Sequence, residues 1–278
     1  MKDLVDTCHP MSEEETSKME SKYCFKRRTI IRSMLFALAA CRVDIGHAIS
    51  TLSIHSNSPP SKHFEAAQNL CIYLIQNKEK GLIFKRPKDK ILNYLPSGED
   101  MFINENNAES EFEEPEMDLI GCCDASHETD HKTRRSTTGC AFCMWSHFIF
   151  YKVKLQNTVA TSSVEAEFIA SLFAAKTAKY LRTVLIEINQ VFNKPTIINE
   201  DNVAAIFMTN IDRPTDRARH VDVRFFALQQ WVEEKHVVLH RLPGIFNPSD
   251  SLTKALSWIL HSRQTNRLMG HFKYKDAV

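Results

Sequence analysis

The chain has 278 residues with 35 Lys and Arg against 34 Asp and Glu, a formal net charge of +1, and 43% hydrophobic residues. That is enough for one large domain, or for a domain with an appendage, and it lacks the strong basicity that would by itself announce a nucleic-acid partner. No run of roughly 18 apolar residues occurs, and residues 1–15 are too acidic and polar for a signal peptide; the expectation is a soluble intracellular protein, cytoplasmic or nuclear, with no membrane partner. Eight cysteines without framework spacing, Cys122 and Cys123 adjacent, fit reduced thiols.

Apolar residues at helical spacing (Ile31, Leu35, Leu38, Ala39, then Ile45, Ile49, Leu52) predict helix through 29–53. A second helix is expected from Ser61, its N-cap, to about Asn77, and the string GLIFKR at 81–86 reads as a strand. Two helices and a strand bury too little apolar surface to stand alone, so residues 1–95 are expected to pack on something else. Residues 96–116 are acidic and Asn-rich with no apolar period, and read as a disordered linker.

Residues 117–270 form the third unit. Strands are expected at 119–123, 139–145 and 148–153, with short links that make them antiparallel neighbours. The CxxC of Cys140 and Cys143 fits a buried strand better than zinc, because no second pair follows. A long helix at 162–189 leads to a strand at 196–198, parallel to the first through a right-handed crossover. Helices at 201–209 and 216–234, a strand at 237–242 and a helix at 248–269 complete an α/β fold, a mixed five-stranded sheet flanked by helices. In such sheets sites gather beyond the carboxyl ends of the parallel strands.

Four acids stand at those strand ends and helix starts: Asp124, Glu167, Asp201 and Asp250. Carboxylates dispersed in sequence but gathered at one sheet end suit a hard divalent cation such as Mg²⁺. Helix geometry separates Glu165 from Glu167, since two residues span about 200° and both cannot face one site. Glu167 heads the small and apolar stripe Ala170, Ser171, Ala174, Ala178, Leu181, Leu185 and Ile188, which can lie on a sheet. Glu165 heads a face that passes Phe168 and Leu172 and reaches solvent at Lys176 and Lys179, which leaves it to favour the positive helix N-terminus. Each acid also has a plainer reading: Asp201 and Asp250 as N-caps, Asp124 as a turn residue, Glu167 as an ordinary first-turn glutamate.

Six strings in order, CCDAS, RRSTTGC, TVATSSVEAEF, EDNVAA, RHVDVR and NPSDSLTKAL, resemble the RNase H domain of a Copia-type LTR retrotransposon Pol polyprotein. Upstream, MSEEETSKM, RSMLFALAACRVDIGHAISTLS and HFEAAQNLCIYLIQNKEKGLIFKR resemble the segment joining reverse transcriptase to RNase H, a small helical tail of the polymerase. No YVDD-type polymerase motif is present, so polymerase activity by this chain alone is not expected. The resemblance implies an RNase H-like fold and two-metal hydrolysis of the RNA strand of an RNA/DNA hybrid, with two Mg²⁺ ions for which Mn²⁺ can substitute. It places the metal ligands and catalytic residues on Asp124, Glu167, Asp201 and Asp250. Asp124 would bridge both ions, Glu167 and Asp201 complete the shells, and Asp250 hold the ion on the nucleophile side.

By the same resemblance Ser163, Asn202 and Ser126 are candidate substrate contacts, and the rest of a Pol polyprotein is a candidate partner. Several positions depart from the family pattern. Ser126 replaces a tryptophan and Glu200 a cysteine; Phe150, Tyr151 and Lys152 replace a tryptophan-serine-serine strand, and Ala255 replaces a proline. Glu200 is expected to add negative charge near the metals. These departures keep two alternatives in view, a catalytically idle nucleic-acid-binding remnant and an unstable retroelement fragment.

Overall fold

Helix caps and apolar stripes set the first half of the chain. A computed structural model describes residues 11–56, 59–84, 119–130, 132–144, 147–209 and 219–271, with backbone alone at 219–225; the expected linker 96–116 lies outside them. Helix α1 (Glu13–Tyr23) opens on a capping box, Ser12 accepting from the Glu15 N–H while Glu15 accepts from the Ser12 N–H at 2.8 Å. The helix expected through 29–53 is two, α2 (Arg27–Ala40) and α3 (Gly46–Ile54), joined by a 3₁₀ turn at Val43–Ile45. Helix α4 (Lys62–Gln76) starts after Ser61, whose backbone is already helical and whose side chain makes no capping bond.

Helices α2, α3 and α4 share a core of Ile31, Met34, Ile49, Leu52, Ala67 and Leu70. The buried Arg27 guanidinium donates to the carbonyls of Leu52 (2.7 Å) and His55 (3.2 Å), closing the C-terminal end of α3 where a cation is favoured. Residues 81–84 are not a strand. Ile83 donates to the Met269 carbonyl at 2.8 Å, so its partner is a helix end instead of a sheet edge.

The five strands are β1 (Ile120–Asp130), β2 (Arg135–Met144), β3 (His147–Leu155), β4 (Thr196–Glu200) and β5 (Val237–Arg241), in the order β3-β2-β1-β4-β5. The first three pair antiparallel, and β4 is parallel to both β1 and β5. This is the mixed five-stranded sheet flanked by helices that the pattern predicts. Adjacent residues on β1 point to opposite faces. Cys123, with Phe142, Phe168, Ala170, Ala174, Ala178 and Leu228, builds the core under α5 (Ser163–Glu187). Cys122, with Ile120, Ala141, Cys143, Phe148, Leu252, Leu268 and Met269, builds the core of the other face. The stripe on α5 stops at Leu185, since Ile188 caps the helix and is exposed. Cys140 and Cys143 are both buried on β2.

The N-terminal helices cover part of that second face. Val43 belongs to its core, a Cβ on Gly46 would lie 3.1 Å from Leu252 and 3.5 Å from Val153, and the Tyr151 hydroxyl donates to the Leu38 carbonyl. His261 contacts the Asp44 carbonyl at 3.0 Å.

Helix α6 (Val203–Met208) is capped by Asn202, and α7 spans Arg219–Glu233. The helix expected at 248–269 is broken into α8 (Asp250–Thr253) and α9 (Trp258–Leu268). Lys254 is extended (φ −118, ψ 147), and Ser257 starts the next helix by accepting from the Leu260 N–H. No helix among the described residues is long and apolar enough to cross a membrane.

Candidate metal centre

Asp124 lies on the central strand opposite Gly139 and is fully buried. A Cβ on Gly139 would meet Thr253 Cγ2 at 2.8 Å and Leu252 Cβ at 2.9 Å, so glycine is what lets α8 close on the sheet here. That approach puts the Thr253 hydroxyl on Asp124 Oδ2 and the Lys254 ammonium 2.6 Å from Asp124 Oδ1.

Glu167, on the opposite side of β1, is buried and accepts the Ala125 N–H at 2.7 Å. Glu165 turns back to the helix start, accepting the N–H and hydroxyl of Thr161 at 2.7 and 2.6 Å. Asp201 follows β4. One carboxylate oxygen each from Asp124, Glu167 and Asp201 lies within 4.8 Å of the other two. Asp250 stands outside that trio and joins it through Lys254, whose Nζ is 3.1 Å from Asp250 Oδ1 and 4.0 Å from Asp201 Oδ2. Gly244 sits against the same edge, where a Cβ would lie 2.9 Å from Asp201 Oδ2 and 3.6 Å from Asp250 Oδ2.

Neither late aspartate is a cap. Asn202 caps α6, its Oδ1 accepting the Ala204 and Ala205 N–H groups at 3.0 and 3.1 Å, and Ser249 holds the cap position before Asp250. Asn202 therefore has its amide N–H₂ alone to offer a ligand. Ser126, two residues beyond Asp124, shares its face of the extended strand and is half-buried, while Ser163 is exposed at the first position of α5.

Charge is concentrated beyond what one ammonium neutralises. Burial, then the Asp250 charge, holds the Asp124 carboxyl well above its ordinary range, against Lys254 and Thr253. Burial, then Asp124, Glu200 and Asp201, pushes Glu167 up to about 10. Burial likewise raises Asp250, while Lys254 opposes the shift. For Lys254 burial opposes the charge, but Asp124, Asp250 and Asp201 outweigh it and raise its pKa. A further cation among Asp124, Glu167 and Asp250 would favour their ionised forms.

Glu200 does not face this cluster as a fourth oxygen donor. Its carboxylate accepts from Ser171 (2.8 Å), the Cys123 thiol (3.2 Å) and the N–H groups of Asp201 and Asn202 (3.1 and 3.2 Å), fully buried beneath α5. Burial nevertheless pushes it up to about 7, and its charge is felt at Glu167. Three supporting residues escaped the sequence reading. Lys254 is four residues past Asp250, a helical spacing that signals an ion pair; Thr253 and Asn247, the latter donating to the Cys123 carbonyl at 2.8 Å, carry no such signal.

No protein-family model matches the chain. It is 26% identical over 226 residues, 81% of its length, to the retrovirus-related Pol polyprotein from transposon TNT 1-94 of Nicotiana tabacum. It is 23% identical over 230 residues, 83% of its length, to the corresponding polyprotein from transposon RE1 of Arabidopsis thaliana. The chain spans 15% and 14% of the lengths of these relatives. Among solved structures it is similar to LC11-RNase H1, isolated from compost, at 12% identity and a TM-score of 0.38, covering 49% of this chain and 92% of that one. The same protein in complex with an RNA/DNA hybrid gives 12% identity and a TM-score of 0.36, with 49% and 93% covered.

Proposed function

We propose that this chain, related over four fifths of its length to retrovirus-related Pol polyproteins of plant transposons, carries a divalent-metal centre that hydrolyses the RNA strand of an RNA/DNA hybrid. The observation that carries the reading is the convergence of Asp124, Glu167 and Asp201 from three separate elements to within 4.8 Å. The donor set fits the ion. All the atoms are hard oxygens, and the ligands of a six-coordinate Mg²⁺ stand about 3 to 4 Å apart, so the carboxylates would draw together as the ion enters. The raised carboxyls are the electrostatic counterpart of that fit.

In this reading Asp124, Glu167, Asp201 and Asp250 hold Mg²⁺ or Mn²⁺, with Asp124 central. When bound, two such ions would activate the attacking water and stabilise the leaving 3′ oxygen. The protein contributes the rest. Gly139 seats α8 so that Asp250 reaches the site, Thr253 fixes the Asp124 rotamer, and the Ala125 N–H fixes Glu167. Ser126, Ser163 and the amide of Asn202, neighbours in sequence of Asp124, Glu167 and Asp201, would meet phosphates or 2′-hydroxyls, a mode of binding that depends on duplex shape more than on base sequence. A larger Pol polyprotein is the proposed context.

A second reading has one observation in its favour: Lys254 and Thr253 already satisfy Asp124 without any ion. An idle remnant of this kind would bind hybrid in a salt-sensitive way and leave it whole. The deciding assay offers the full chain a hybrid labelled on the RNA strand with Mg²⁺ or Mn²⁺. The expected outcome is cutting of that RNA but not of the same RNA in a single strand, with loss of cutting in Asp124→Asn and Asp201→Asn. Salt-sensitive binding with intact RNA under both metals would put the remnant in its place.

A further inference from the structure

The position of the Lys254 ammonium carries a consequence for how the site takes up metal. Its Nζ lies 2.6 Å from Asp124, 3.1 Å from Asp250 and 4.0 Å from Asp201. A buried ion pair elsewhere among the described residues is built differently. Arg42 meets Asp44 through two bonds of 2.9 and 2.7 Å, both side chains are almost wholly enclosed, and Tyr73 completes the acceptor at 2.7 Å. That is a closed, one-to-one, bidentate pair. Lys254 instead serves three carboxylates as a point charge and is one-third exposed to solvent. It stands just past α8 on extended backbone, and the four single bonds of its stem let the head swing outward.

We propose that Lys254 is a resident counter-ion of the metal position, which holds Asp124 and Asp250 together in the metal-free protein and is displaced when a divalent ion enters. The inference rests on the metal-centre reading above. One ammonium with three donors cannot match a divalent ion that takes six oxygens, so the ion wins the exchange at sufficient concentration. The lysine then lowers the apparent affinity, because each binding event must first break its contacts. It also keeps like charges from driving α8 off the sheet before metal arrives. The released ammonium is tethered beside the carboxylates, on the side open to solvent.

Mn²⁺ titration of the full chain, with free ion read by electron paramagnetic resonance, tests this in the wild type, Lys254→Met and Lys254→Arg. Lys254→Met keeps the stem without the charge and is expected to bind Mn²⁺ tighter, on the order of tenfold. Lys254→Arg should show no gain. A second readout needs no variant. Acetylation of Lys254 by an N-hydroxysuccinimide ester, followed by mass spectrometry against the exposed Lys78, should be slow without metal and faster at saturating Mn²⁺.

Equal or weaker binding by Lys254→Met overturns the proposal, as does metal-independent acetylation. If Lys254→Met does not fold, the acetylation result decides. Hybrid cutting by a wild type whose Mn²⁺ affinity Lys254→Met does not improve removes the inference and leaves the metal centre standing. Absence of Mn²⁺ binding in both proteins removes both, whereas binding by Lys254→Met alone supports the counter-ion.

Discussion

Asp124 draws its position from residues that are not acids. Gly139 admits α8 because it has no side chain, and Thr253 and Lys254 then reach Asp124 from that helix. Gly139→Ala would place a methyl under 3 Å from both Thr253 and Leu252. Overpacking of that kind costs about 1–3 kcal/mol. Chemical denaturation should show the loss, and Mn²⁺ binding should weaken with it because Asp250 moves with α8. A Gly139→Ala protein of unchanged stability and metal affinity would show that the close approach of α8 does not set the site. The strand ends and helix starts that carry the four acids were legible in the sequence, whereas the approach of Asp124, Glu167 and Asp201 to within 4.8 Å, with Asp250 outside it, depends on the fold. Lys254 was readable only in retrospect, through its spacing from Asp250, because a lysine after a short helix is ordinarily a solvated residue.

At the scale of elements, the sequence located each strand by its apolar run and misjudged where pairing stops. β1 continues to Asp130 and β2 begins at Arg135, because the backbone ladder runs on through polar residues, Ser136, Thr137 and Thr138 among them, that are buried without belonging to an apolar run. Apolar residues keep a helical period across the break in the final helix, which is why the pattern predicts one helix, while Ser257 marks a fresh start. The N-terminal helices were expected to need a partner, and they lie against the sheet face that carries Ile120, Cys122, Ala141 and Phe148. A fragment of residues 117–278 should therefore be less stable than the full chain and should aggregate at lower temperature on heating. Equal thermal stability of fragment and full chain, measured by circular dichroism and light scattering, would mean that this contact contributes nothing.

The whole molecule should also respond to acid through the seam between those helices and α9. Burial, then the neighbouring His261, lowers His47 to about 4, and burial lowers His261 as well. The folded state thus binds a proton at His47 less readily than the unfolded chain, whose histidine titrates near 6.5. The stability His47 contributes is complete above pH 6.5 and is lost as pH falls from 6.5 toward 4. The raised carboxyls of Asp124, Glu167 and Asp250 act in the opposite sense, so the effect is read as a difference between proteins. His47→Gln should lose less stability than the wild type between pH 7 and 4.5. Parallel pH profiles for the two would refute a half-buried His47 that resists protonation.

The central claim is that Asp124, Glu167 and Asp201 converge to hold a divalent ion. Anomalous diffraction from crystals of the full chain soaked in Mn²⁺ tests it most directly. A peak is expected within coordinating distance of Asp124, Glu167 and Asp201, with the Lys254 ammonium swung away from Asp124. A fully soaked crystal with no peak there, and Lys254 still bonded to Asp124 and Asp250, would contradict it.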